Sequence, residues 1–240
     1  MFGRKKKAEL VEDDSLADVD EATAELDDDD DAEAADDPAD EPGLDEWALL
    51  DVSRDWREDG PFDADEVDLT ADDAERVDLG AMIITPEKGM SIKLLASAET
   101  NQILHLVVES GTSALQITVY AAPATGNYCP EIRARLSEAT PNAKITEFAE
   151  GPFGTELRRV LTVTDDRGRE GLAPMRDWVI GGPRWVLDVR LMGQAAVGTT
   201  SNELEEFVHN LVIRRGDVAM VPGDILPLHP AGATAGAGQR

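Results

Sequence analysis

Cys129 is the chain's single cysteine, and it stands directly before Pro130 at the expected start of a helix. A thiol in that position can be acidified by the helix dipole. To act as a nucleophile it needs a base within reach, and the chain offers only His105, His209 and His229. His105 falls mid-strand between Leu104 and Leu106, and His209 sits in the pattern of the last helix. A half-buried thiol and structural histidines is the reading. The histidines are 104 and 20 residues apart, with no His-x-His or His-Glu-x-x-His spacing, so no metal site is assigned. Asp165 and Asp166 are adjacent carboxylates, but Arg167-Gly168 follows and the four read as a hairpin turn. The run Asp27–Asp31 would attract cations, yet it lacks the glycine and ligand spacing of a calcium loop. No catalytic residue and no cofactor-binding residue is assigned.

The glycine stretches point the same way. Gly181-Gly182-Pro183 precedes an alternating segment in which Trp185, Leu187, Val189 and Leu191 share one face and Arg184, Asp188 and Arg190 the other. A phosphate loop would feed a helix N-terminus and place Gly-Lys-Ser/Thr there. This one feeds a strand, so it is a turn. Gly151-Pro152-Phe153-Gly154 has the outline of a KH-domain GxxG loop, but strand patterns flank it and the domain carries no basic excess. Direct nucleic-acid binding is not expected.

Two features remain as candidate contacts. Arg184 and Arg190, on one strand face, are of the type that holds a carboxylate or phosphate. The segment LDEWALLDVSRDWR (44–57) carries two of the four tryptophans, and Trp47, Leu50 and Trp56 suit an apolar stripe on a short helix. It is either a strap packed on its own domain or a recognition helix that folds on a partner.

The elements that must position these residues begin only after a charged leader. The first 80 residues hold 32 Asp+Glu against 7 Lys+Arg, and the other 160 hold 18 against 15. No basic residue occurs from Ala8 to Ser53. Such a segment repels itself and has too little apolar surface to offset the entropy of ordering. The expected organisation is a disordered basic tip and acidic tail over 1–45, a linker or strap over 46–79, a domain over 80–229, and a disordered C-terminus over 230–240. A domain of that size buries about 68–70% of its extended-chain surface.

Within the domain the pattern predicts strands at 82–85, 90–96, 102–109 and 114–121, then a helix from Pro130 that Pro141 stops. Strands follow at 144–149, 156–164, 172–179 and 184–192. A last helix is expected from Thr200, with Thr200 and Glu203 as a capping box. The fold class is α+β: an antiparallel sheet of about seven to eight strands backed by two helices.

The segments GPFDADEVD (60–68), SALQITVYAAP (113–123), EGPFGTELRR (150–159), GPRWVLDVRL (182–191) and RRGDVAMVPGDILPL (214–228) resemble an actinobacterial family, the domain of unknown function 3710. The resemblance covers about residues 58–229. It implies the short basic start and acidic tail seen here, but no activity and no site residues. The element order is also similar to the Mog1/PsbP-like α+β sheets, which implies a binding or assembly module.

No apolar stretch approaches the ~18–20 residues that span a bilayer. The basic start, Arg4–Lys7, is followed by acid and not by an apolar signal core, so no stable membrane insertion and a cytoplasmic location are expected. The functional expectation is a non-enzymatic binding or scaffold module, with the acidic arm modulating the choice of an unknown protein partner. The alternative is a small enzyme or an anion- or metabolite-binding protein whose site carries no motif.

Overall fold

The computed structural model describes residues 46–140, 143–164, 167–198 and 202–232. Calls on the leader, the aspartate run, Asp165–Asp166, Pro141, Thr200 and residues 233–240 lie outside these. Helix α1 (Glu46–Val52) comes first, then three short strands, β1 (Phe62–Asp63), β2 (Val77–Asp78) and β3 (Met82–Ile84). The main strands are β4 (Ser91–Ala96), β5 (Ile103–Ser110) and β6 (Ser113–Ala121), followed by helix α2 (Cys129–Glu138). β7 (Ile145–Gly151), β8 (Gly154–Thr164), β9 (Glu170–Gly182) and β10 (Trp185–Gly193) complete the set. Helix α3 (Glu203–His209) and β11 (Val212–Ile213) close it.

The protein is α+β, and its centre is a seven-stranded antiparallel sheet in the order β4-β5-β6-β10-β9-β8-β7. β10 lies in the middle, which explains its composition. Trp185, Leu187, Val189 and Leu191 alternate onto one face with no exposed surface, as period-two patterning against a core requires. That face packs on α3 through Leu204, Phe207 and Val208. The other face meets α2, whose Cys129, Ile132 and Leu136 lie on Leu157, Val179 and Val186. Pro130 opens α2, where its missing N–H costs nothing.

Three findings refine the sequence reading. The turn between β9 and β10 is Pro183-Arg184, and Gly181-Gly182 belong to the end of β9. The cap of α3 is Asn202, whose side chain accepts from the Leu204 and Glu205 amides; an Asn oxygen reaches those donors as well as a threonine would. A second, small sheet, β1-β11-β3-β2, draws Phe62 out of the approach segment and pairs it in parallel with Val212. Phe62, Val67, Ile83 and Val212 form its own apolar cluster.

The C-terminal segment has a structural task. β5 and β6 pair from Leu106↔Ile117 to Ser110↔Ser113 and then diverge. Residues 224–228 fill the gap: Leu226 donates to the Val119 carbonyl and Leu228 to that of Ile103, both at 2.8 Å. Their side chains enter the core. Among the described residues no helix is long and apolar enough to cross a membrane.

Because Leu187 sits on the central strand at zero exposure, Leu187→Ala removes packing with nothing nearby to collapse into the space. A loss of roughly 2–5 kcal/mol in urea unfolding is expected.

Candidate functional site

Consecutive residues of β8 and β9 carry charge to opposite faces of the sheet. On the α3 side Glu156, fully buried, accepts from Arg176 Nε at 2.9 Å and Nη2 at 2.7 Å. It also accepts from Trp178 Nε1 at 2.8 Å and Arg158 Nε at 2.5 Å. On the α2 side Asp177, also fully buried, takes Arg159 Nε and Nη2 on one oxygen at 2.9 and 2.5 Å. Arg190 Nε donates to the other at 2.8 Å. Arg159 Nη1 continues to the Leu136 carbonyl at 3.0 Å and to the Thr140 hydroxyl, tying the end of α2 to the sheet. A buried carboxylate is tolerable only with such partners.

Asp188 breaks the pattern. It lies on β10 between Thr118 and Val179 in register, almost wholly buried, and its Oδ1 has no hydrogen-bond partner. Burial, and then the charge of Asp177, push its carboxyl up to about 7, while Arg190 and Arg159 pull the other way. Around it stand Tyr120, pushed up to about 12 by burial and by Asp188, and His105, lowered by burial and by Arg190. A carboxyl that holds a proton near neutrality is the kind of group acid–base chemistry uses. Its neighbours are committed elsewhere: His105 Nδ1 is bonded to Thr118 Oγ1 at 2.8 Å and Arg190 to Asp177.

The tryptophan segment docks on its own domain. Asp51 is the fastener: one oxygen pairs with buried Arg133 of α2, and the other accepts from the Thr155 amide at 3.0 Å. Thr155 Oγ1 donates to the Trp47 carbonyl at 3.1 Å, and the Trp47 ring lies 5.9 Å from that of Phe148. Trp56 Nε1 donates to the Leu50 carbonyl at 2.9 Å, with the Arg54 guanidinium 3.7 Å over its ring. Trp47, Leu50 and Trp56 are half-buried.

A cavity of about 320 Å³ lies between this strap, residues 122–129 and the end of β9. Cys129 lines it, but burial pushes the thiol up to about 12, far from a reactive thiolate. None of the histidines lines the cavity. Gly181 and Gly182 also line it, for reasons of packing. A Cβ on Gly182 would stand 2.1 Å from the Trp185 ring, and one on Gly181 would stand 3.0 Å from the Cys129 sulfur.

The remaining histidines are embedded. The His209 ring packs 4.6 Å from Phe153, and the His229 ring fills the space beside Gly80. Arg184 and Arg190 are separated: Arg190 belongs to Asp177, whereas Arg184 sits in the β9–β10 turn, roughly 20 Å along the strand. The residues that sequence reasoning missed are Glu156, Asp177, Asp188 and their arginines. The only signal was charge at positions where the neighbouring strands are apolar, as in Arg176-Asp177-Trp178-Val179.

With that geometry in place, likeness to other proteins adds one decision. Residues 60–236 match the family described as Protein of unknown function (DUF3710). The chain belongs to that family. No curated protein matches it. Two solved structures are similar at low level. One is a crystal structure from Bacteroides thetaiotaomicron VPI-5482, 13% identical with a TM-score of 0.34. It aligns with 56% of this chain, which in turn spans just under half (46%) of that protein. The other is the solution structure of cyanobacterial PsbP (CyanoP) from Synechocystis sp. PCC 6803, 12% identical, TM-score 0.33, aligning over 60% of this chain and 95% of its own.

Two expectations attach to this DUF3710 domain. The Asp188 carboxyl has a native pKa above its unfolded value of about 3.9, so ionising it opposes folding. The penalty is absent below the unfolded value, grows as pH rises and is complete above about 7. Asp188→Asn therefore leaves the melting temperature near wild type at pH 4 and raises it at pH 8, by on the order of 2–4 kcal/mol of stability. Asp51→Ala strands Arg133, whose side chain is only 5% exposed. A loss of roughly 3–5 kcal/mol, with faster proteolysis within 46–57, is the expected result in urea titration and limited digestion.

Proposed function

We propose that this domain is a non-enzymatic, cytoplasmic binding or scaffold module whose acidic arm modulates which protein partner it takes. The observation that supports this is the fastening of the strap. Asp51 joins the segment directly after the acidic leader to both α2 and β8. The leader's charge is thereby delivered at one place on the sheet. A partner with a basic surface that docks beside α1 gains attraction from it, and an acidic competitor is repelled. The half-buried Trp47, Leu50 and Trp56 supply the apolar edge of that contact area. Nucleic acid would be repelled by the same charge, so the partner class is protein. The buried arginines and carboxylates satisfy one another and rigidify the platform, a structural use of charge.

Affinity capture with the full chain and with a full-length variant carrying Asn at Asp27–Asp31 tests this reading. Partners that bind through the arm should be depleted from the variant, and should elute earlier with salt from the wild type. Identical partner sets and identical salt profiles would remove the arm from the account.

A further inference from the structure

Beyond the β9–β10 turn lies a second cavity of about 320 Å³, lined by Arg184, Arg214 and Arg215 with Asp63, Asp65 and Asp217. We infer that this cavity is a binding site for a small oxyanion, a phosphate or carboxylate group carried by a small molecule. The inference is independent of the partner-binding reading, and it concerns a different part of the surface from the strap.

The carboxylates first need an account, since three of them stand beside three arginines. Asp63 is buried and already engaged: its Oδ2 accepts from Trp185 Nε1 at 2.8 Å and its Oδ1 from the Asp65 amide at 2.9 Å. Asp65 and Asp217 are exposed, so water screens their charge. The arginines are placed differently. Arg214 is oriented by Asp78 at 2.8 Å and by the Gly80 carbonyl at 3.3 Å. Arg215 Nη1 donates to the Val218 carbonyl at 3.0 Å, but its Nε is buried and donates to nothing. A buried guanidinium N–H without an acceptor costs free energy, and an oxyanion in the cavity would remove that cost. Arg184 contributes one bond at the limit of length, 3.5 Å to the Gly216 carbonyl, and its guanidinium is otherwise open to solvent.

The backbone of Arg184 supplies the second observation. It adopts φ +61°, directly after Pro183, in a two-residue turn. A proline followed by a residue of positive φ is the pattern in which glycine or asparagine is favoured, and another side chain there costs about 1 kcal/mol. An arginine is present where glycine would be more stable. The strain is accounted for if the guanidinium is needed in the cavity beside it. Planar forks from separate chain segments, Arg184 on the hairpin and Arg214-Arg215 after β11, converge there, an arrangement suited to the oxygens of one anion.

The test uses the full chain, with inorganic phosphate and citrate as probes and chloride at matched ionic strength as the control. Calorimetric titration gives affinity, and thermal unfolding gives stability. The expected result is saturable binding of at least one probe that chloride does not reproduce. Binding of phosphate alone assigns a phosphoryl ligand, and citrate alone a carboxylate. Arg184→Gly should weaken that binding roughly 10- to 100-fold while leaving the ligand-free melting temperature equal to wild type or higher. Arg215→Lys, which keeps the charge and loses the Nε fork, should weaken it as well. No saturable binding of either probe, or full binding by Arg184→Gly, overturns the inference.

Discussion

A carboxylate taken out of water in the middle of a sheet requires donors from the strands beside it. Glu156 and Asp177 impose that requirement on both faces at once. Glu156 draws on Arg158, Arg176 and Trp178, and Asp177 on Arg159 and Arg190. Side chains alternate with a period of two, so sliding β9 by one residue against β8 would exchange the faces and break both groups together. Apolar alternation alone would permit other registers of these long strands. The paired charges exclude them, because each misplaced arginine or carboxylate would be left unpartnered at a cost of several kcal/mol. Register here is specified by electrostatics laid over a hydrophobic pattern.

The same constraint carries outward to the helix and the strap. Arg159 extends from Asp177 to the last carbonyls of α2, and Arg133 extends from α2 to Asp51. α2 is a short helix whose apolar contacts are few, and propensity alone would not hold it. Its attachment runs through two arginines, one to the sheet and one to the strap. Asp188 is the exception that this network leaves. It stands one residue beyond Val189 on β10, near the place where β5 and β6 part and the 224–228 segment enters. The neighbouring arginines are already held by Asp177, so it keeps a proton instead of a partner.

Much of the architecture was legible because it follows local rules. The alternation in Trp185–Leu191, the short turns and Pro130 gave the strand order along the chain, the face that is buried and the start of α2. What was not legible depends on contacts distant in sequence. Phe62 and Val212 are 150 residues apart, and a two-residue strand such as β1 has no periodicity to read. The charge groups were hidden for a related reason. Glu156 looks like any solvated strand residue until Arg176 and Trp178 are brought to the same face from the next strand. The two arginines chosen from one strand face, Arg184 and Arg190, share a sequence period but not a location, since one lies in the turn. Arg184 converges with Arg214 and Arg215 through a loop crossing that no spacing announces.

The division of charge then has a mechanical meaning. After residue 80 the acidic and basic side chains nearly balance, 18 against 15, and the most buried of them pair internally. The domain therefore has no large basic surface to neutralise a leader with 32 carboxylates in its first 80 residues. At physiological salt such charge is felt over about 8 Å. Its influence thus depends on where the leader joins the fold. The Asp51 fastening fixes that point beside α2 and β8, so a short-range field acts on one chosen area of the surface. Without the fastening, the same charge would be averaged over the whole domain and would discriminate among partners far less.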